Sequence, residues 1–206
     1  MIYGRIKTAE LDLSWRDAEF CVLDIETTGL DPANDRIVSY GAVPVREGRI
    51  LSSEAKYSLV NPETDVCGES VRIHALTTRE LADAPTIGEC LEDILSLLDG
   101  RILVAHSAWM ETDFLKSAAR RLRRKLKISV IDTAVLARKQ LDVPDLPADY
   151  DLALEYAADA LGLPVHTPHH ALGDAMTTAQ LFIALCSQLS QSRPCTVREL
   201  TALSRR

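Results

Sequence analysis

The first third of the chain alternates short apolar runs with polar breaks. Phe20-Cys-Val-Leu-Asp-Ile-Glu26 is mostly apolar, Arg36 to Val45 is a second run, and a third extends from Ile50 to about Leu59 after the turn Glu47-Gly48. Runs of this length between turn residues predict strands, here a meander ended by Asn61-Pro62. Farther along, the period changes. Apolar residues at 87, 91, 94, 95 and 98 follow one helix face, and Asp99-Gly100 supplies the stop. Ile102 to Ala105 predicts a short buried strand, Trp109 to Leu126 a long helix, and Ile128 to Ile131 another strand. Helices are then predicted at Thr133 to Leu141, Asp151 to Leu161 and Ala171 to Gln188, with Val143-Pro-Asp-Leu-Pro147 as an internal loop. Three strands in succession, then strands alternating with helices, predict an α/β fold with a mixed sheet flanked by helices. The pattern contains no repeat or low-complexity segment. One domain over residues 1–206 is expected, with its core at about 20–188 and short extensions at both ends.

Composition narrows the class. The chain is 47% hydrophobic and 26% charged, as globular proteins are. No apolar run approaches the roughly 18 residues of a membrane span, so no membrane association is expected. The opening MIYGRIKTAELDLSW mixes charges and lacks the apolar stretch of a signal peptide. Five cysteines (Cys21, Cys67, Cys90, Cys186, Cys195) are scattered and never in a C-x-x-C pair, which fits reduced thiols in a cytoplasmic protein. The net charge of −7 argues against a general polyanion binder, because such binding is mostly cationic neutralisation of phosphates. It leaves room for a metal site, which collects carboxylates.

Three segments carry the candidate chemistry. In Asp24-Ile-Glu-Thr-Thr-Gly29, Asp24 and Glu26 lie two apart at a strand end and face the same way. Two carboxylates following an apolar strand are costly to bury, and a divalent cation resolves that conflict. In His106-Ser-Ala-Trp-Met-Glu111-Thr-Asp113, a helical wheel places Glu111 with Phe114, Leu115, Ala118 and Leu122, facing the protein. Asp113 falls with Lys116, Ser117, Arg120 and Arg124, facing water. In Pro168-His169-His-Ala-Leu-Gly-Asp174, residues five apart on one regular helix diverge, so His169 and Asp174 meet only if His169 lies on the incoming loop. His74, His166 and His170 are read as surface or packed imidazoles. His166 with His169 makes a poor zinc pair, since no Cys or third ligand accompanies them.

In this order and spacing the three segments resemble the three motifs of the DEDDh 3′–5′ exonucleases, the superfamily of the DNA polymerase III proofreading subunit and ribonuclease T. The resemblance runs from about Phe20 to Leu185 and includes Leu59-Val-Asn-Pro62, Ile73-His-Ala-Leu-Thr77 and Ile131-Asp-Thr-Ala-Val-Leu-Ala-Arg138. It implies a ribonuclease-H-like sheet of three antiparallel strands followed by parallel ones. It also implies a metal-dependent enzyme that releases nucleoside monophosphates from 3′ ends of single-stranded or frayed nucleic acid. Asp24, Glu26, Glu111 and Asp174 would then ligate two Mg²⁺ or Mn²⁺ ions, and His169 would be the general base. Thr27, Thr28, Leu76, His106 and Ser107 fall at substrate-binding positions. Two residues depart from the pattern: Glu111 stands where the family usually has Asp, and Ser107 where it has Asn.

The expected partners are 3′ ends of single-stranded DNA or RNA, with the choice between them open. A homodimer is a further expectation from the family. A polymerase partner stays open, with the short tail Thr196 to Arg206 favouring a free-standing enzyme. Two other readings stand beside the exonuclease: a degenerate fold that binds nucleic-acid ends or regulates a partner, and an endonuclease of ribonuclease-H-like fold. The run Arg120 to Lys127, six cations in eight residues, is either a solvated helix end or a patch for nucleic-acid backbone or an acidic partner.

Overall fold

A computed structural model describes residues 11–66, 68–141, 152–191 and 195–205. A mixed sheet lies at its centre. Strands β1 (Glu19–Thr27), β2 (Ile37–Arg46), β3 (Arg49–Ile50), β4 (Lys56–Leu59), β5 (Ile102–Ala105) and β6 (Val130–Asp132) form it in the order β3-β2-β1-β5-β6, with β4 also on β2. The β1–β2, β2–β3 and β2–β4 pairs are antiparallel, whereas β1–β5 and β5–β6 are parallel. This is the predicted α/β architecture.

The central strands β1, β2 and β5 are largely apolar because both faces of the sheet are covered there, whereas the edge strands β3 and β4 carry exposed polar residues. Along β1, Phe20 and Val22 face one way, toward α5 (Thr133–Gln140), α6 (Leu154–Ala160) and α7 (Ala171–Leu189). Cys21, Leu23 and Ile25 face the other way, toward α3 (Ile87–Leu97) and α4 (Trp109–Arg121). Two apolar layers thus sandwich the sheet. Trp15 edges onto Phe182, and so does Phe20, which fastens the segment before β1 to the middle of α7.

Several boundaries differ from those the pattern predicts. The third strand, expected unbroken from Ile50 to Leu59, is split by a single 3-10 turn at Ser52–Glu54, whose side chains are polar and exposed. The helix expected to reach Leu126 stops at Arg121, and Arg123 takes a left-handed φ of 56° that turns the chain away. The strand expected at Ile128 begins at Val130. Two short helices, α1 (Glu69–His74) and α2 (Thr78–Leu81), occupy a stretch left unassigned, and α8 (Val197–Leu203) fills most of the tail. The predicted loop 143–147, the start of the predicted helix at Asp151, and Cys67 lie outside the described residues. The four described cysteines are buried thiols. No helix among the described residues is long and apolar enough to cross a membrane.

Gly41 makes the key close approach. A Cβ there would lie 2.3–2.4 Å from the backbone of Ala171 and Leu172. The missing side chain therefore lets the first turn of α7 rest directly on β2, opposite Asp24 in the register.

Candidate active site

The site forms where β1 runs past its parallel neighbour. Pairing with β5 ends at Val22–Val104, so Asp24 and Glu26 stand beyond the end of that ladder. Both point to the α7 side of the sheet, as Phe20 and Val22 do. Asp174, in the first turn of α7, descends onto them across Gly41. One carboxylate oxygen from each of Asp24, Glu26 and Asp174 lies within 4.8 Å of the others.

Such crowding is unfavourable for three charges. The Asp24 carboxyl is raised well above the usual carboxylate range by burial first, then by Glu111, Asp174 and Glu26. Burial and Asp174 push Glu26 up to about 7. Asp174 is pushed to about 6 by burial, against the lowering effect of the His169 N–H and ring. Its Oδ2 accepts that N–H at 2.9 Å, while its Oδ1 is buried without a hydrogen-bond partner. A cluster whose members each resist ionisation, and which includes an orphaned oxygen, fits a bound cation.

Glu111 approaches from the other layer. It sits in the first turn of α4, only 2% exposed, as the helical wheel predicts. Burial, Asp132 and Glu26 raise its carboxyl, partly offset by backbone N–H groups of Glu111 and Ile25, and its Oε2 has no partner. It belongs beside the triad, outside the set of three that meet within 4.8 Å. Asp113, by contrast, is exposed and pairs with Lys116 at 3.2 Å.

His169 lies on the loop entering α7, the arrangement its convergence with Asp174 requires. It is exposed and takes a left-handed φ of 58°, a conformation that costs energy for a non-glycine residue and is often found at functional sites. Gly173 allows that loop to pack tightly, since a Cβ there would lie 2.5 Å from the Thr167 carbonyl oxygen.

The five expected substrate-binding residues are engaged in different ways. The Thr27 hydroxyl donates to the Gly29 carbonyl at 2.6 Å, and the Thr28 hydroxyl to Asp35 at 2.9 Å, so both brace the turn after β1. Leu76 packs against a small cluster of Val38, Val66 and Leu81, and its N–H donates to His74 Nδ1. His106 meets Thr133 Oγ1 and the Leu152 carbonyl through its two ring nitrogens, which ties it into the scaffold. Ser107 sits at φ 57°, a conformation that Asn tolerates better than Ser.

Two residues with structural roles at the site were not singled out from the sequence. Asp132 accepts from the N–H groups of Ser107, Ala108, Ala134 and Val135, joining the loop before α4 to the start of α5. An Asp at a strand end just before a helix is an N-cap signal that was available to read. Gly41 is the other, and a glycine inside a strand pattern marks close backbone approach. Among the remaining histidines, His74 is buried and His166 meets Gln180. The cationic run lies in the α4 layer. Lys116, Arg120, Arg124, Lys125, Leu126 and Lys127 line a shallow cavity of about 530 Å³, and Arg124 also pairs with Glu92.

Comparison with known proteins places this geometry in context. Residues 21–182 match the RNase T family model, whose description is exonuclease. A DNA polymerase III PolC-type protein of Thermotoga petrophila is 32% identical over 187 residues, 90% of this chain. The chain spans only 13% of that relative's length. Among solved structures, exonuclease X in complex with 5′ overhanging duplex DNA superposes with a TM-score of 0.70 at 24% identity, covering 90% of this chain and 99% of that one. The nuclease domain of 3′hExo, a DEDDh family member bound to rAMP, superposes with a TM-score of 0.71 at 18% identity, covering 85% and 94%. These two likenesses bear out the ribonuclease-H-like fold.

Proposed function

The chain belongs to the RNase T family of exonucleases, within the DEDDh 3′–5′ exonuclease superfamily, and on that premise we propose that it shortens single-stranded or frayed nucleic acid from the 3′ end, one nucleoside monophosphate at a time. The observation that carries the proposal is the meeting of Asp24, Glu26 and Asp174 within 4.8 Å, beside buried Glu111 and loop-borne His169. On this reading all of residues 1–206 serve a single exonuclease domain.

The oxygen-only donor set suits Mg²⁺ or Mn²⁺ rather than zinc, and four carboxylates suffice for two ions. What divalent ions supply in such a site is positive charge, which offsets the carboxylates and the phosphate and stabilises charge developing on the leaving oxygen. The protein's own residues do the rest. Asp24, Glu26 and Asp174 would hold the cations, with Asp174 kept in place by the His169 N–H. Glu111, one methylene longer than the family's usual Asp, closes the site from the α4 side. The His169 ring takes the proton of the attacking water. The water oxygen bonds to phosphorus as the bond from phosphorus to the 3′ oxygen breaks, and that oxygen leaves with a proton from solvent. A positioned base of this kind contributes roughly 10²–10⁴-fold in rate. Thr27 and Thr28 shape the turn that receives the terminal nucleotide, and Leu76 supplies an apolar contact for its base.

The PolC-type likeness supports DNA as a substrate and a polymerase as an associated partner, while the rAMP-bound neighbour supports RNA. The test is digestion of 5′-labelled single-stranded DNA and RNA side by side with Mg²⁺, Mn²⁺ or EDTA, using Asp24→Asn as control. A metal-dependent ladder that Asp24→Asn fails to produce is expected. No ladder from either strand overturns the proposal and favours a module that only binds ends. Cleavage of circular strands would favour an endonuclease.

A further inference from the structure

Tyr57 and His170 form an aromatic pair that the hydrolytic chemistry leaves unused. Their ring centroids are 4.5 Å apart with planes at 23°, a stacked arrangement. Tyr57 comes from β4, and His170 is the residue preceding α7, so the pair joins two distant parts of the chain.

The sheet register places this pair beside the site. Gly41 lies opposite Asp24 on one side and opposite Tyr57 on the other. Directly opposed residues share a face, so Tyr57 projects on the same side as Asp24 and Glu26. Two strand spacings separate the backbones of Tyr57 and Asp24, about 10 Å. Burial raises the Tyr57 hydroxyl, and the charge of Glu26 adds to the effect, in keeping with that proximity. His170 directly follows His169, the proposed base, and directly precedes Ala171, which rests on Gly41. Tyr57 nevertheless remains 38% exposed and His170 is only partly buried. Two nearly parallel rings, one from β4 and one from the start of α7 and both partly open to solvent, therefore stand about two strands from the carboxylates.

We propose that the Tyr57–His170 pair is a stacking platform for a nucleobase of the substrate, near its 3′ end. The proposal rests on the exonuclease reading and adds a binding site for the base to one for the phosphate. Every base has a π-face, so such a platform holds any sequence, as an enzyme that steps along a strand requires. The stack is already formed without substrate, and an incoming base extends it without reordering either ring.

The test compares wild type, Tyr57→Ala and Tyr57→Phe for binding of a fluorescent single strand with Ca²⁺ in place of Mg²⁺. It repeats the measurement on strands with one abasic nucleotide at each of the three 3′-terminal positions. Tyr57→Ala is expected to weaken binding of the intact strand by roughly 5- to 100-fold, the usual effect of removing one stacked aromatic. Tyr57→Phe, which keeps the ring, should bind nearly as wild type does. One abasic position should weaken wild type to a similar degree and Tyr57→Ala no further. If the pair serves only to pin β4 to α7, Tyr57→Ala loses the same factor on the intact strand and on every abasic strand. That result overturns the platform, as does unchanged binding by Tyr57→Ala. A wild-type chain that neither binds nor shortens the strand overturns the exonuclease reading instead.

Discussion

Replacing Glu26 with Gln should stabilise the metal-free protein at pH 8 while removing its activity. In the fold, burial and Asp174 push the Glu26 carboxyl from its ordinary 4.5 to about 7. A carboxyl raised by folding is held more tightly in its protonated form. Its contribution is fully present below pH 4.5 and is lost as pH rises through about 7. A change from 4.5 to about 7 corresponds to roughly 3 kcal/mol against folding once Glu26 is ionised in both states. Glu26 is partly exposed, so solvent screening and the cost of burying the replacement amide reduce this to about 2 kcal/mol. For a chain of this size that is roughly 4–8 °C in Tm. The assay is thermal unfolding by circular dichroism in EDTA at pH 5 and pH 8. Glu26→Gln should melt above wild type at pH 8, and the difference should shrink to roughly a quarter at pH 5. A variant no more stable than wild type at pH 8, or an equal gain at both values, would refute the reasoning.

Three further outcomes follow from the same geometry. Adding Mn²⁺ should raise the wild-type Tm more at pH 8 than at pH 5, because protons compete for Asp174 and Glu26, which sit at about 6 and 7; differential scanning fluorimetry reads this directly. His169→Ala should lower kcat by roughly 10²–10⁴-fold with little change in Tm, since the ring is exposed; single-turnover kinetics would show the loss in the chemical step. Gly41→Ala should cost about 3 kcal/mol or more and abolish activity, because its Cβ would strike the backbone of Ala171 and Leu172; urea unfolding and the nuclease assay together test it.

The carboxylates were legible because their positions obey simple periods. Asp24 and Glu26 share a face at the strand period of two, and the helical wheel separates buried Glu111 from exposed Asp113. The central strands were legible for a related reason: burial on both faces leaves a continuous apolar signature in β1, β2 and β5. The edge strand was harder. Residues 50–59 carry the composition of a strand, yet the polar, exposed Ser52–Glu54 form a single 3-10 turn between β3 and β4. The end of α4 was misplaced because its cations suit a helix terminus in any register, while the left-handed Arg123 decides where the helix stops. α2 carries a readable capping box between Thr77 and Glu80, but four helical residues are too few for an apolar period to show. Contacts between distant elements were the least legible. Nothing near Tyr57 announces that His170 will stack on it, and Gly41 acquires its importance only when α7 arrives.

The seam at Gly41 also governs when the enzyme can first act. Asp24 and Glu26 leave the ribosome before Asp174, with about 150 residues of synthesis between them. At roughly 5–20 residues per second the emerging chain carries an incomplete ligand set for about 8 to 30 seconds. Through that interval the strip along Gly41 has no α7 to cover it, and Asp24 and Glu26 lack the carboxylate of Asp174 even after Glu111 has been made. On the proposed reading the ligand set is therefore complete only when the later-made helix settles onto the earlier-made strand.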